Sequence, residues 1–347
     1  MSDLIITHSL LKTFMRCPRE ALYKYQDLIT PRKKTSQPLE RGTWFHALLE
    51  AKYKDMGGLE TEGVAAEHKR MVDEFGELMD DEREELGDLP NEMKRLYNSY
   101  QWHYRKDESW TIHEVEMKVE AELPNGMQYQ GKIDMMVENE WGLFAVDHKT
   151  HKRLPSMDFR YRDKQSILYI WALRQCGIPV EGFIWNYVVP TAPAPLKFTK
   201  GSKNVPRRLY AKQPITDYPT ALRGIKAEGM DPGDPAIRAI LDPLKVVRYD
   251  PDSVQSSPVF RRDILEKHDD MIERTVLEAT HTAERFANYA WENRDEVERV
   301  NDRSCDWCSY RFICIAELIG SNPDNVRRQM YKDANPLAYY EEKERKG

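Results

Sequence analysis

Between residues 111 and 150 the apolar side chains stop recurring every three or four positions and begin to alternate. Val115, Met117, Val119 and Ala121 interleave with Glu114, Glu116, Lys118 and Glu120, the two-residue period of a half-buried strand. Pro124-Asn125-Gly126 then supplies a turn into a second run at 129–137, and 139–142 turns into a third at 143–150. A helix is expected over 158–175 and a strand over 183–189. The order β-β-β-α-β predicts an α/β fold with a mixed central sheet flanked by helices.

Helical periodicity surrounds this block. A first helix is expected over 8–27, with Leu10, Leu11, Phe14, Leu22 and Tyr25 on its apolar face, and a second over 41–56, carrying Trp44, Phe45, Leu48 and Leu49. Acidic helices are expected at 62–80 and 91–106, separated at Gly87 and Pro90. After the block, 190–257 is rich in Pro and Gly and reads as a connecting arm. A long amphipathic helix is expected over 259–293, its apolar line running Ile264, Ile272, Val276, Ala279, Ala283, Phe286 and Ala290. The chain thus divides into an N-terminal part (1–50), an acidic helical insertion (51–108), a core (109–190), a Pro-rich basic arm (191–257), a long helix with a cysteine cluster (258–320) and a charged tail (321–347).

Charge sharpens this division. The formal net charge is −6, yet residues 55–92 hold 14 acids against three bases, so the rest of the chain is net basic. Within 190–216 stand Lys197, Lys200, Lys203, Arg207, Arg208 and Lys212 with no acid, which suits either a polyanion-binding strip or an ordinary solvated loop. A hydrophobic content of 40% is enough for a sizeable core and excludes wholesale disorder. No run of 18 apolar residues occurs, and the first residues lack a secretory signal's basic and apolar regions. The expected address is the cytoplasm, with reduced thiols and no membrane partner.

Three segments carry the chemistry: Gly131-Lys132-Ile133-Asp134, Asp147-His148-Lys149-Thr150 and Gln165-x-x-x-Tyr169. On a strand, Asp147 and Lys149 share a face while Val146 and His148 take the other. A carboxylate beside an ammonium on a mostly buried strand is costly unless paired or metal-bound. Asp134, on the preceding strand, can bring a second carboxylate to the same hard cation, for which Mg²⁺ is suited. Gln165 and Tyr169, four apart on a helix, stack on one face. Each piece alone is ordinary: Asp-x-Lys is usually a surface ion pair, and a lone His46 is usually packed between helices. Their order and spacing together point to one shared site. Gly126 to Lys132 has the spacing of a phosphate-binding loop, but Ile133 stands where that loop needs Ser or Thr, so nucleotide triphosphate binding there is rejected.

Five cysteines are present, and Cys305, Cys308 and Cys314 fall within ten residues. With Cys17 near the N-terminus they could hold a tetrahedral zinc or an iron–sulfur cluster, closing the chain ends like a clasp; spacing alone does not decide between them. Cys176 reads as a buried small residue at a helix end.

With both constellations in view, the sequence resembles the PD-(D/E)XK nuclease superfamily, with a restriction-endonuclease-like sheet. More closely, it resembles RecB-like exonucleases with an iron–sulfur clasp, including the AddB nuclease domain, the fourth CRISPR-associated (Cas) family and phage-encoded relatives. The resemblance covers about 1–50, 110–190 and 295–320. It implies that Asp134, Asp147, His46 and the His148 carbonyl hold Mg²⁺ or Mn²⁺, with Asp147 where many relatives have Glu. It further implies catalysis by Lys149, contact with DNA through Gln165 and Tyr169, and a 4Fe–4S cluster on Cys17, Cys305, Cys308 and Cys314. The implied substrate is DNA, as single strands or duplex ends, with recombination or phage replication proteins as partners. A non-catalytic subunit of a recombination or CRISPR adaptation complex is the main rival reading; a redox protein and a zinc-clasped binding module are weaker ones.

Overall fold

The computed structural model describes residues 4–32, 37–105, 110–152, 155–200, 208–210, 212–245 and 259–341. Its centre is a five-stranded sheet in the order β2-β3-β4-β5-β6, formed by β2 (Thr111–Glu122), β3 (Gln128–Asn139), β4 (Gly142–Thr150), β5 (Gly182–Val188) and β6 (Phe260–Leu265). The β2-β3-β4 meander is antiparallel, β4 and β5 run parallel, and β6 returns antiparallel to β5. The parallel step needs a crossover, and α8 (Lys164–Gln175) provides it. The mixed α/β architecture expected from the alternation is therefore present.

Both sheet faces are covered. Met136, Ala145, Phe183 and Trp185 pack under α1 (His8–Arg16), α8 and α11 (Asp269–Ala287). Val137, Phe144, Val146 and Ile184 pack on the other face under α3 (Gln37–Met56) and α6 (Leu89–His103), with α4 (Gly63–Gly76) and α5 (Asp80–Leu86) outside them. This is why β5 is buried along its whole length and reads as a nearly continuous apolar run.

Several boundaries differ from the sequence expectation. The helix expected over 8–27 breaks at Cys17, which is extended (φ −161°, ψ 110°), because Pro18 disfavours a helical residue before it. It resumes as α2 (Pro18–Ala21) and a π-helical turn, Leu22–Gln26. The helix expected over 158–175 splits into α7 (Met157–Tyr161) and α8: Asp163 leaves helical geometry to cap α8, accepting from the Gln165 and Ser166 amides at 2.9 and 3.2 Å. The long helix expected over 259–293 is corrected most. Its first part is strand β6, and the helix spans only Asp269–Ala287. A short apolar run is ambiguous between helix and strand, and pairing with β5 decided it.

The described residues of the Pro- and Gly-rich stretch form more regular structure than a connecting arm. It contains α9 (Tyr218–Ala227) and α10 (Pro235–Lys245) around a small core of Leu196, Ala221, Ile225, Ile237 and Leu241. Trp102 of α6 stacks on Tyr218, with ring centroids 5.9 Å apart. Towards the C-terminus follow α12 (Arg311–Leu318), α13 (Pro323–Met330) and β7 (Tyr331–Asp333), which pairs with β1 (Ile29–Pro31). No helix among the described residues is long and apolar enough to cross a membrane.

Gly182 opens β5 where the sheet leaves no room: a Cβ there would lie 2.7 Å from the Leu265 carbonyl oxygen and 3.3 Å from the Phe144 ring. Gly182→Ala is expected to cost about 1–3 kcal/mol by overpacking. Gly76→Ala, where a Cβ meets nothing within 4 Å, is expected to be neutral or to stabilise by about 0.4–1 kcal/mol. Denaturant midpoints of the two variants check the contrast.

Candidate active site

The site is built on a fork in the sheet. At one end of β3, Tyr129 pairs with Ala121 of β2 and bridges Ile6 on its other side. At the other end, β3 pairs with β4 from Asn139 to Met135. Between the Ile6 bridge and that ladder lies Gly131-Lys132-Ile133-Asp134. The last ladder pair is Met135 with Val146, so the next register position sets Asp134 across from Asp147. There the Asp134 side chain takes over from the backbone: its Oδ2 accepts the His148 N–H at 2.7 Å. A backbone donor that a straight ladder would have paired is thus satisfied by a carboxylate.

Alternation along β4 does the rest. Lys149 Nζ lies 2.5 Å from Asp147 Oδ2 and 5.4 Å from the Trp185 ring centroid. On α8, the Gln165 amide donates to Asp147 Oδ1 at 3.1 Å and to the Tyr169 hydroxyl at 3.2 Å. The i, i+4 stacking expected for Gln165 and Tyr169 is therefore present and aimed at the strand. Gly131 makes room for it, since a Cβ there would lie 2.5 Å from Tyr169 Cε1.

Helix α3 approaches from the other side. His46 Nδ1 lies 3.6 Å from Asp134 Oδ2. The His148 side chain points away from the carboxylates, as alternation predicts. Its Nδ1 receives the Asn186 amide at 2.7 Å, and its ring stacks on Tyr53 at 5.7 Å. Asn186 also donates to the Tyr100 hydroxyl at 2.7 Å, and Arg262 donates to the Tyr53 and Tyr100 hydroxyls at 2.8 and 3.0 Å. This buried network ties β4, β5, β6, α3 and α6 together directly behind the site.

Burial and like charge set the electrostatics. Burial, with repulsion from Asp134, pushes the Asp147 carboxyl up to about 7 against the pull of Lys149. Burial raises Asp134 too, again against Lys149. Burial disfavours the Lys149 charge, but Asp147 and Asp134 more than offset this, so its pKa is raised. Burial lowers His46 to about 4 and His148 well below its ordinary value, so both imidazoles are neutral near pH 7. A buried and a half-buried carboxylate thus face one ammonium. Asp147 Oδ2 is buried, and among the described residues its close partner is the Lys149 ammonium. Oxygen donors with surplus negative charge and a neutral imidazole alongside suit a hard divalent cation. Among the described residues no three His, Cys, Asp or Glu side chains converge closely enough to enclose one unaided, so coordinating groups from water or substrate must complete the shell, as is usual for Mg²⁺.

The cysteines lie apart from this site. Cys17 caps α2, Cys308 ends a 3-10 turn, and Cys314 lies on α12. Cys308 and Cys314 pack beside Tyr23, Ile29, Tyr310 and Tyr331, so the fold does bring the two chain ends together. Their union is held by protein contacts. Arg294 makes two 2.7 Å bonds to Asp27, and Glu317 receives Arg19 at 3.1 Å, Tyr23 at 2.5 Å and Arg299 at 3.2 Å. The donor set is right in kind for a soft metal or cluster, but all four thiols are free, and those of the described residues do not converge on a metal-holding arrangement. Cys176 is exposed rather than buried, at the end of α8.

Of the basic strip, Lys197, Lys200, Arg208 and Lys212 are exposed, and no described contact links them to the carboxylates; Lys203 and Arg207 lie outside the described residues. The sequence reading overlooked His8, Asp163 and Asn186. His8 lies within electrostatic reach of Lys149 and Asp163, and burial lowers it to about 4. Asp163 and Asn186 had local signals: a capping residue two before Gln165, and one amide inside an otherwise apolar strand.

Comparison with known proteins decides what this arrangement belongs to. Residues 5–315 match the model of the PD-(D/E)XK nuclease superfamily, nearly the whole chain. The chain belongs to that superfamily. It is therefore a hydrolase of the metal-dependent nuclease class, whose members use divalent ions such as Mg²⁺ or Mn²⁺. No curated protein matches. A solved structure described as "Crystal structure of SSO0001" aligns with 90% of this chain and 87% of its own at 11% identity, with a TM-score of 0.34; a likeness so slight adds nothing to the family assignment.

For this nuclease, the close packing of Gly131 on Tyr169 makes a sharp expectation. Gly131→Ala is expected to destabilise by about 1–3 kcal/mol. The same substitution in a Tyr169→Ala background is expected to cost much less, because the ring that clashes is gone. A double-mutant cycle on denaturation midpoints reads the coupling.

Proposed function

We propose that this nuclease is a DNA exonuclease of the RecB-like type, acting on single strands or duplex ends in recombination, repair or phage DNA processing in the cytoplasm. The observation that carries the catalytic part is the meeting of Asp134, Asp147 and Lys149 at the β3–β4 fork. Asp134, Asp147, His46 and the His148 carbonyl are the groups that would hold Mg²⁺ or Mn²⁺, which supplies the charge to polarise the phosphate and acidify the attacking water. Lys149 orients that water and stabilises the negative charge that develops on the phosphoryl oxygens. Water oxygen bonds to phosphorus, the bond to the leaving oxygen breaks, and the leaving group is protonated from solvent. Gln165 and Tyr169 position the phosphate backbone, and the amide already held by Asp147 fixes their place relative to the reacting atoms.

In the same reading, Cys17, Cys305, Cys308 and Cys314 carry a structural 4Fe–4S cluster that reinforces the junction of the chain ends, and the basic residues of 197–212 grip the strand. The support is the donor set and its gathering from both termini; the side chains must close further on loading. An anaerobically purified chain is expected to be brown and to contain about four iron atoms; a colourless chain with stoichiometric zinc would replace the cluster with a zinc clasp.

Lys149→Ala is expected to abolish release of nucleotides from end-labelled DNA, by at least roughly a thousandfold, with an unchanged circular dichroism spectrum and cluster colour. Undiminished cleavage by that variant would remove the lysine from the mechanism. Cleavage by the wild type is expected to stop on chelation and to return with Mg²⁺ or Mn²⁺. Labels at each end of single- and double-stranded DNA give the polarity in the same assay.

A further inference from the structure

A cleft of about 510 Å³ lies between α1, the α7–α8 junction and α11, a size suited to a small organic group. Its composition divides cleanly. Leu11, Met15 and Leu168 make it apolar, and Phe159 stands in it 58% exposed. Lys12 and Arg162 add positive charge. The other ionic groups there are already committed. Lys164 is paired with Glu278 at 2.7 Å, and Asp163 caps α8. Among the described residues Lys12 meets no carboxylate, and the Arg162 side chain bonds only the Asp158 carbonyl, at 3.1 Å.

The wall of the cleft connects to the fork through two residues. Asp163 in its wall is two residues from Gln165, which bonds Asp147, and His8 in its wall lies within electrostatic reach of Lys149. An exposed aromatic ring over an apolar floor, flanked by uncommitted cations, is the combination that takes a base on its π-face and the adjoining phosphates on the cations.

We propose that this cleft is a nucleotide subsite, in which Phe159 stacks on the base next to the scissile phosphate of a single DNA strand while Lys12 and Arg162 hold the neighbouring phosphates. This rests on the nuclease reading of the fork and adds the form of the substrate. A base reaches the cleft only after leaving the duplex stack, so single strands and frayed ends are preferred to paired DNA.

The test measures binding apart from cleavage. A dye-labelled single-stranded oligonucleotide is titrated with the full chain in Ca²⁺ and followed by fluorescence anisotropy; KM and kcat are then measured in Mg²⁺. Phe159→Ala and Lys12→Ala are each expected to weaken single-strand binding roughly tenfold and to raise KM more than they lower kcat. Phe159→Trp is expected to restore affinity, which a merely structural role for the ring would not predict. Trp141→Ala, which removes an exposed aromatic at the β3–β4 turn, is expected to change nothing. Single-strand affinity within about twofold of wild type in both the Phe159 and Lys12 variants would overturn the proposal. Should Lys149→Ala retain cleavage, the catalytic reading fails, and the binding measurements still decide the subsite.

Discussion

The structure turns on one substitution of partners: where the β3–β4 ladder ends, a carboxylate rather than a carbonyl accepts the His148 amide. That bond places Asp134 at the crotch of the fork, at the register position across from Asp147. It also explains why the N-terminus must return to the sheet. Ile6 bonds β3 beyond the fork, with its N–H to the Gln128 carbonyl and its carbonyl receiving the Gln130 amide, both at 2.8 Å. Thr7 then caps α1 immediately, accepting from the Leu10 amide. Without that bridge, the end of β3 carrying the motif would be an open edge on this side.

Crowding two carboxylates at a buried fork is unfavourable for the bare protein, and the surroundings show how it is contained. Lys149 neutralises part of the charge, Gln165 donates to Asp147, and the His148 N–H donates to Asp134. The residual negative charge favours a divalent ion and, through it, an anionic substrate. The far side of β4 is correspondingly stiff. A neutral His148 is fixed by Asn186 and by the face of Tyr53, and Arg262 binds the hydroxyls of Tyr53 and Tyr100. Anchoring the side chain of the residue between Asp147 and Lys149 limits rotation of the strand that carries both, which is what a site demanding precise placement requires.

The sequence made the central part of this legible because strand period is a strict code. Alternation alone set Asp147 and Lys149 together and turned His148 away, and helical spacing set Gln165 above Tyr169; both hold in the structure. Other features depend on partners that local sequence does not display. Strand β6 looked like the start of a helix because Phe260, Ile264 and Leu265 fit either period, and only the open edge of β5 selects the strand. The two helices after residue 217 were hidden by proline. Yet Pro219 sits in the first turn of α9, where its missing N–H costs nothing, behind an Asp217 cap. Composition pointed to a connecting arm where position within the helix permits a helix.

The two cavities along α11 place the fork in a wider surface. The cleft by Phe159 shares Arg162, Lys164 and Glu278 with a second cavity of about 780 Å³, lined also by His268, Arg274 and Thr275. Arg162, Lys164 and Arg274 stand in these cavities beside the acids Asp269, Asp270 and Glu278, a mixed lining, whereas the helix α5 of the other layer is strongly acidic. This polarity follows from the fold. Asp147 and Lys149 face α8, while the excess acid of residues 55–92 belongs to the opposite layer. The 14 acids against three bases of residues 55–92 repel a polyanion from that opposite layer, so the fold sets its strongest like-charge barrier away from the sheet face that carries Asp147 and Lys149.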